Sequence, residues 1–267
     1  GTAGDRGRVR ARSRLRIDSA GRIAEMVEDP PVAWRPTPEA LYLVGTAGGL
    51  TGDDDIGLDV GVAPGGALVV RSTAATVIYT GSGTRHRVCL QADAEACVDW
   101  RPEPVVVTAG ASHVQEAALH LAPTAHLDWT DLVVLGRHGE RPGRADFRLD
   151  CVISADGVLG GGTPVVGDRP CAGPGSGGEA IPPARDRVLV RHHLSVGPGA
   201  RGWAGPAVVG TNRTVGVRLR VGPDLSPPPI THGDGWAWMR LDGPGWLLSA
   251  VAPDLPTLLE RMASAAG

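Results

Sequence analysis

The stretch GGLTGDDDIGLDV, residues 48–60, gathers Asp53, Asp54, Asp55 and Asp59 between turn-forming glycines. Carboxylates on one rim can hold a divalent cation loosely. They do not make a calcium loop of the EF-hand kind, which needs oxygens at alternate positions, glycine sixth and glutamate twelfth. A second candidate is ASHVQEAALHL, where His113, Glu116 and His120 are spaced three and four apart. On a helix the three share a face and could ligate zinc or nickel. On a strand His113 and His120 point to opposite faces and the site dissolves. Strand alternation splits His192-His193 in the same way, leaving one of the pair buried or bonded.

Other chemistry is excluded by what the chain lacks. All 26 basic residues are arginine, which removes Schiff-base lysines, the Walker-type phosphate loop and the Ser-Lys dyad. TGSGTRH (80–86) and PGSGG (174–178) lack the strand–helix frame of a dinucleotide loop. Neither G-x-S-x-G nor HExxH occurs, so an enzyme reading has no nucleophile or metal triad to stand on. The net charge of −3 does not suit a protein built as a whole to sit on nucleic acid or an anionic membrane. Apolar runs such as Leu132 to Leu135 fall far short of the ~20 residues of a membrane span. Cys89, Cys97, Cys151 and Cys171 form no CxxC, and the Arg-rich N-terminus lacks a signal-peptide apolar stretch. The expectation is free thiols in a cytoplasmic protein, in which the sequon Asn212-Arg213-Thr214 carries no glycan.

The elements that must position these groups are β in character. RGRVRARSRLRID places arginine at 6, 8, 10, 12, 14 and 16, with Val9, Ala11, Leu15 and Ile17 between them. A period of two is a strand with one apolar and one cationic face. No aromatic stacking residues accompany it, so it reads as a solvated or partner-facing sheet surface rather than a nucleic-acid arm. Pro30, Pro31, Pro36 and Pro38 mark an irregular crossing. Then VAPGGALVVR (62–71), QADAEACVDW (91–100) and LAPTAHLDWT (121–130) repeat one another: Ala67, Ala96 and Ala125 recur every 29 residues, as do Asp99-Trp100 and Asp128-Trp129. A fixed period of this size marks stacked supersecondary units, here coils of strand and tight turn burying one another's apolar faces.

Over 56–62 the alternation turns Ile56, Leu58, Val60 and Val62 to the core, and Asp55, Gly57, Asp59 and Gly61 away from it. Residues 160–185 read as a long surface loop. Strands resume in RVLVRHHLSV and TVGVRLRVG, and GDGWAWMRLDGPGWLLSAV reads as two more. The best helix is C-terminal, DLPTLLERMASAA, with Asp254 as cap, Pro256 in the first turn, and Leu258, Leu259 and Met262 sharing a face. The expectation is one all-β domain over residues 1–267, a layered, solenoid-like helical stack of β-strands with few short helices, one near the C-terminus.

Taken together, LYLVGTAGGLTGDDDIGLDV, STAATVIY, RPEPVVVTAGA, LAPTAHLDWTDLVVLGR and the following Gly-Glu resemble the urease accessory protein D family (UreD, also called UreH). Within these five segments six ordered motifs carry the likeness, since the first joins a Leu-rich strand to a glycine-aspartate motif and the fourth joins Leu-Ala-Pro to Trp-x-acid; they span roughly residues 34–145, with weaker echoes at Gly-Arg-Ile near residue 21 and in the C-terminal helix. The resemblance implies a non-enzymatic cytoplasmic chaperone for urease maturation with no tightly bound cofactor. It implies binding to the accessory proteins F and G and to apo-urease, and transient passage of Ni²⁺ for insertion into the urease active site, with GTP hydrolysis belonging to protein G. It also implies a helical stack of strands in layers, in agreement with the repeat.

Carried over by position, the family's Gly-Gly-Asp aspartate falls on Asp54, with Asp53 in place of the second glycine. The Trp-x-Glu acid falls on Asp131 and the glutamate after Leu-Gly-Arg on Glu140. The glutamine of Pro-Gln-Pro is Glu103 here, and the lysine before tyrosine is Val77. Asp54, Asp131 and Glu140 are therefore the expected lining of a water-filled nickel path. Oxygen ligands hold Ni²⁺ less tightly than imidazole or thiolate, and a conduit must release what it admits. The rival readings are a metal-binding β-protein using His113, Glu116 and His120, and a β-solenoid hydrolase using paired carboxylates as acid and base.

Overall fold

The computed structural model describes residues 8–81, 83–154 and 186–265, together with the backbone of 165–166 and 169–170. The chain enters through β1 (Arg10–Ile17) and β2 (Ile23–Val27), an antiparallel pair, and crosses to the opposite layer as β3 (Val32–Pro36) and β4 (Leu41–Gly45). It then coils. The first coil is β5 (Asp55–Val62), β6 (Ala67–Ser72) and β7 (Thr76–Ile78). The second is β8 (Thr84–Ala92), β9 (Cys97–Trp100) and β10 (Val105–Val107), and the third is β11 (Ser112–Leu121) and β12 (His126–Leu135). A further rung, β13 (Arg144–Ile153), follows. β14 (Val165–Val166) and β15 (Arg169–Pro170) pair only with each other. β16 (Arg187–Val196) closes the first sheet, and β17 (Thr214–Val221), β18 (His232–Gly233), β19 (Trp236–Arg240) and β20 (Gly245–Ala252) extend the second. The C-terminal α1 (Leu255–Ser264) is the one helix among the described residues.

Two sheets result. The seven-stranded one runs β16-β13-β11-β8-β5-β1-β2, and the eleven-stranded one runs β18-β19-β20-β17-β12-β9-β6-β4-β3 with β7 and β10 alongside. The coiled strands pair in parallel through β1, β5, β8, β11 and β13, and again through β4, β6, β9 and β12. The expected all-β solenoid-like stack is thus observed.

The Asp-Trp repeat has a direct structural meaning. Asp99 pairs with Asp128 and Trp100 with Trp129 in the β9–β12 ladder. The tryptophans point inward and stack, with ring centroids 4.9 Å apart at an interplanar angle of 8°, and Trp34 meets Trp100 edge-on at 6.4 Å. Such contacts add roughly 0.5–1.5 kcal/mol to the burial of the rings. The aspartates point outward into an ion-pair ladder, Arg71–Asp99 (2.9 Å), Arg101–Asp99 (2.8 Å), Arg101–Asp128 (3.3 Å) and Arg218–Asp128 (2.6 Å). Ala96 and Ala125 occupy equivalent buried places, 0% and 1% exposed. Ala67 does not: it pairs with Cys97, one position later, and is exposed. The first coil is one residue longer than the second at this point, so the constant spacing of the three alanines is not a constant structural place.

The arginine-rich strand behaves as its period predicts. Ala11, Ser13, Leu15 and Ile17 are buried, and Arg12, Arg14 and Arg16 lie on the outer face. There they meet the acids of β5: Arg12–Asp55 at 3.0 Å, Arg14–Asp59 at 3.3 Å and Arg16–Asp59 at 2.8 Å.

Three expectations are corrected. Val32–Pro36 is an ordered strand rather than an irregular crossing. Leu259 is 48% exposed while Leu258 and Met262 are buried, because the helix offers only a narrow stripe to the sheet; Asp254 caps it as expected, accepting from Thr257 N at 2.9 Å. Cys97 and Cys151 are free thiols, but Cys89 is disulfide-bonded. Cys171 and the loop expected at 160–185 lie outside the described residues, the backbone of β14 and β15 apart.

Candidate functional site

Between the two sheets lies a cavity of about 250 Å³. Its mouth is formed by Gly45, Ala47, Gly48, Gly49, Leu50, the segment 72–77, Pro102 and Glu103, and its wall by Ile56, His86, Trp100, Gln115, Trp129 and Asp131, among others. Every motif segment up to the Trp-x-acid contributes to it: the glycines before the aspartate cluster, STAATV, the Pro-Glu of RPEP, and Trp129 with Asp131. Gly49 shows why glycine is needed at the mouth. Its φ is +119°, and a Cβ there would stand 2.6 Å from both Val77 O and Tyr79 Cε2. The close approach lets Leu50 N donate to Val77 O (3.0 Å) and Tyr79 N donate to Leu50 O (2.8 Å).

The polar wall arises from strand parity. On β8 the inward positions run Thr84, His86, Val88, Leu90; on β11 they run His113, Gln115, Ala117, Leu119. Each strand therefore begins its core face with two polar residues before turning apolar. Adjacent rungs stack His113 on Thr84 and Gln115 on His86. Thr84 Oγ1 and His113 Nδ1 are hydrogen-bonded at 2.7 Å. Across the interior, Gln115 Nε2 donates to Asp131 Oδ1 at 2.6 Å and Trp129 Nε1 donates to Asp131 Oδ2 at 2.7 Å.

Burial sets the charge states. His86 is held down to about 4 by loss of hydration. His113 falls to about 3, through burial first and the neighbouring His86 second, with Gln115 opposing the shift. Asp131 is pushed up to about 6 by burial, against the two hydrogen bonds it accepts. At neutral pH both imidazoles are uncharged nitrogen donors and Asp131 is largely ionised. A second, much smaller void lies beyond Gln115 and Asp131, lined by Phe147, Leu149, His192, Leu194, Val215 and Val217 as well. Gln115 and Asp131 border both spaces.

The residues expected from sequence are distributed unevenly. Asp131 is 8% exposed and lines the cavity. Asp54 is 6% exposed, but its carboxylate closes the turn before β5, accepting from Val9 N and Thr51 N at 3.0 Å each. Glu140 caps its own turn, accepting from Arg137 N at 2.9 Å and pairing with the Arg137 guanidinium at 3.2 Å, which holds its carboxyl well below the usual range. The structure does not bring these three acids together.

Nor does it gather His113, Glu116 and His120. Their segment is strand β11, so His113 faces the interior while Glu116 and His120 face outward. Glu116 is instead ringed by Arg87 (3.1 Å), Arg148 (3.2 Å) and Arg85 (3.8 Å). Among the described residues no three His, Cys, Asp or Glu side chains are grouped as a metal site. His192-His193 is divided as alternation requires, His192 lining the small void and His193 exposed. Sequence reasoning missed His86, Gln115 and Trp100. The signal was present: polar residues at the inward parity of otherwise apolar strands.

The arrangement offers one carboxylate, one amide and neutral imidazoles along an interior surface. Such donors suit borderline divalent ions of the first transition row without enclosing them.

Comparison with known proteins agrees with the motifs around the cavity. The sequence model described as UreD urease accessory protein matches residues 6–265. The chain is 37% identical to the urease accessory protein UreD of Parafrankia sp. (strain EAN1pec), over 97% of this chain and 88% of the relative. It is 32% identical to that of Frankia casuarinae, over 95% and 88%, and 30% identical to that of Streptomyces avermitilis, over 95% and 94%. A match of this extent, with the shared motifs surrounding one cavity, places the chain in the UreD urease accessory protein family.

Proposed function

We propose that this protein serves urease maturation in the cytoplasm as a non-enzymatic scaffold. It binds the accessory proteins F and G and apo-urease, and passes Ni²⁺ toward the urease active site through the interior between its sheets. The observation that carries this reading is the position of Asp131: the acid of the Trp-x-acid motif is buried in the wall of the cavity that the other motifs surround. An ion route needs ligands strong enough to admit a hydrated cation and sparse enough to let it leave. Asp131 supplies charge, His86 an uncharged nitrogen, and Gln115 an amide oxygen. Asp54 and Glu140, committed to backbone and arginine partners, act in this reading on the shape of the fold around the route.

Co-expression with protein F followed by co-purification tests the scaffold role. A stable complex that activates apo-urease in the presence of protein G, GTP and Ni²⁺ is the expected result. Failure of the chain to associate with protein F or with apo-urease would remove the scaffold reading.

A further inference from the structure

The outer face of the seven-stranded sheet is ordered in rows, because its strands pair in continuous register. The first row runs Arg10, Asp55, Arg85, Val114, Asp146 and Ser195. The second runs Arg12, Gly57, Arg87, Glu116, Arg148 and His193. With Arg8 and Arg144 at the strand starts, these rows hold seven arginines against three acids. That is a surplus of four in a chain whose net charge is −3, leaving −7 for the remainder.

The acids lie beneath the arginines. The side chains of Asp55, Glu116 and Asp146 are 15%, 5% and 15% exposed, while Arg8 and Arg148 are 47% exposed and Arg12, Arg85 and Arg144 about a third. Each acid is already engaged: Asp55 by Arg8 and Arg12, Glu116 by Arg85, Arg87 and Arg148, and Asp146 by Arg144. Arg10 is exposed and has no ion-pair partner among the described residues. Gly57 keeps the second row level, since Arg12 lies over the place a Cβ would take. The third row is closed off at Cys89 and Ala118, both buried. What the first two rows present to solvent is therefore guanidinium.

We propose that these two rows are a docking face for a carboxylate-bearing surface of a protein partner. The partner's place in urease maturation rests on the scaffold reading. In the second row the arginines stand on every other strand, roughly 10 Å apart. Acids two helical turns apart, or on alternate strands, match that spacing. A guanidinium takes a carboxylate in a planar two-bond fork, so the face selects for this group. Nucleic acid fits less well: neither row holds an aromatic side chain for base stacking, and the acids beneath oppose a continuous run of phosphates. Surplus charge of this kind speeds encounter and makes the complex sensitive to salt.

The test measures binding of the full chain to protein F, protein G and apo-urease separately, at low and high salt. The double variant Arg10→Glu with Arg148→Gln strips charge from both rows and leaves the cavity alone. Arg240→Glu, at an exposed position of β19 in the other sheet, is the control. For at least one partner the double variant is expected to bind about tenfold more weakly at low salt, through slower association, with the gap narrowing at high salt. The control is expected to bind as the parent does. Thermal melts check folding, and should the double variant fail to fold, Arg10→Glu alone decides, since that side chain holds nothing in place. Poly-L-glutamate titrated against the chain alone reads the face without any partner: salt-sensitive binding is expected in the parent and lost in the variant. A parent that binds its partners, with a folded variant that binds all of them equally at both salts, overturns the docking face and leaves the scaffold standing. A parent that binds no partner removes the scaffold, and the face then stands or falls on poly-L-glutamate. Binding of a short DNA duplex that the substitutions abolish, with partner affinities unchanged, assigns the face to nucleic acid and overturns the proposal.

Discussion

Gln115 on one sheet and Asp131 on the other meet across the interior at 2.6 Å, and Trp129 holds the second carboxylate oxygen at 2.7 Å. A carboxylate buried to 8% exposure with only neutral donors is destabilised in its charged form, and its acidity reports directly on those two contacts. Replacing Trp129 by Phe removes one donor and keeps an aromatic ring in the stack with Trp100. The Asp131 carboxyl should then titrate above about 6, its present position. Carbon-detected NMR of the labelled aspartate measures this, and an unchanged or lower midpoint would show that the indole is not a partner in solution.

Acid should unfold this protein through its interior histidines. His86 and His113 have native acidities lowered from 6.5 to about 4 and about 3. Below pH 6.5 the unfolded chain takes up protons that the native chain refuses, so the two histidines remove stability as pH falls. Asp131 acts the other way: its native acidity is raised from 3.8 to about 6, so the native state takes a proton first, and stability is gained between those values as pH falls. Between about pH 4 and 6 two histidine protons oppose one carboxyl proton. From these groups a net loss of about 1.4 kcal/mol per pH unit follows. Denaturant melts at pH 6 and pH 5 measure it. In Asp131→Asn the slope should steepen, because the opposing proton is gone.

Gly57 and Gly61 of the aspartate-rich strand are small because arginines lie across them. A Cβ on Gly57 would stand 2.7 Å from Arg12 Cδ, and one on Gly61 would stand 2.9 Å from Arg16 Cδ. Arg12 is a flexible, part-exposed side chain, so Gly57→Ala should displace its guanidinium from Asp55 at a cost of at most about 1 kcal/mol. Arg12→Ala in the same chain should recover part of that cost. A double-mutant cycle with additive terms would contradict the inlaid arrangement.

Asp54→Ala should act on folding. It leaves Val9 N and Thr51 N without their acceptor, a loss of roughly 1–3 kcal/mol. Thermal unfolding checks this. A drop in activation without any drop in stability would instead put Asp54 on the ion route.

Much of this architecture was legible in the residues. Alternation in RARSRLRI and DIGLDVGV gives the inward and outward faces of β1 and β5 as observed. Asp-Trp at a fixed offset marks a true rung, because an inward stack and an outward ion pair both demand register. Ala67 misleads because alanine at a turn carries no comparable demand, so a coil longer by one residue leaves the apparent period intact. The candidate site was legible only in part. Acid type and motif position single out Asp131, Asp54 and Glu140 equally, yet only burial distinguishes the one that faces the cavity. His86 and Gln115 are visible only once the strands are phased, since an inward polar residue looks ordinary until its neighbours are known to be core. Glu116, which resembles a ligand in sequence, is claimed by three arginines from β8 and β13.

The most direct measurement is the rate at which apo-urease, with proteins F and G, GTP and limiting Ni²⁺, gains activity when this chain carries Asp131→Asn. The exchange keeps the shape and removes the charge; the new amide oxygen can still accept from Trp129 Nε1, and the Gln115 amide turns its own oxygen toward the new NH2 group. Loss of most of the rate with the protein complex still intact by size exclusion is the predicted result. Activation at the parent rate would contradict the passage of nickel through the interior.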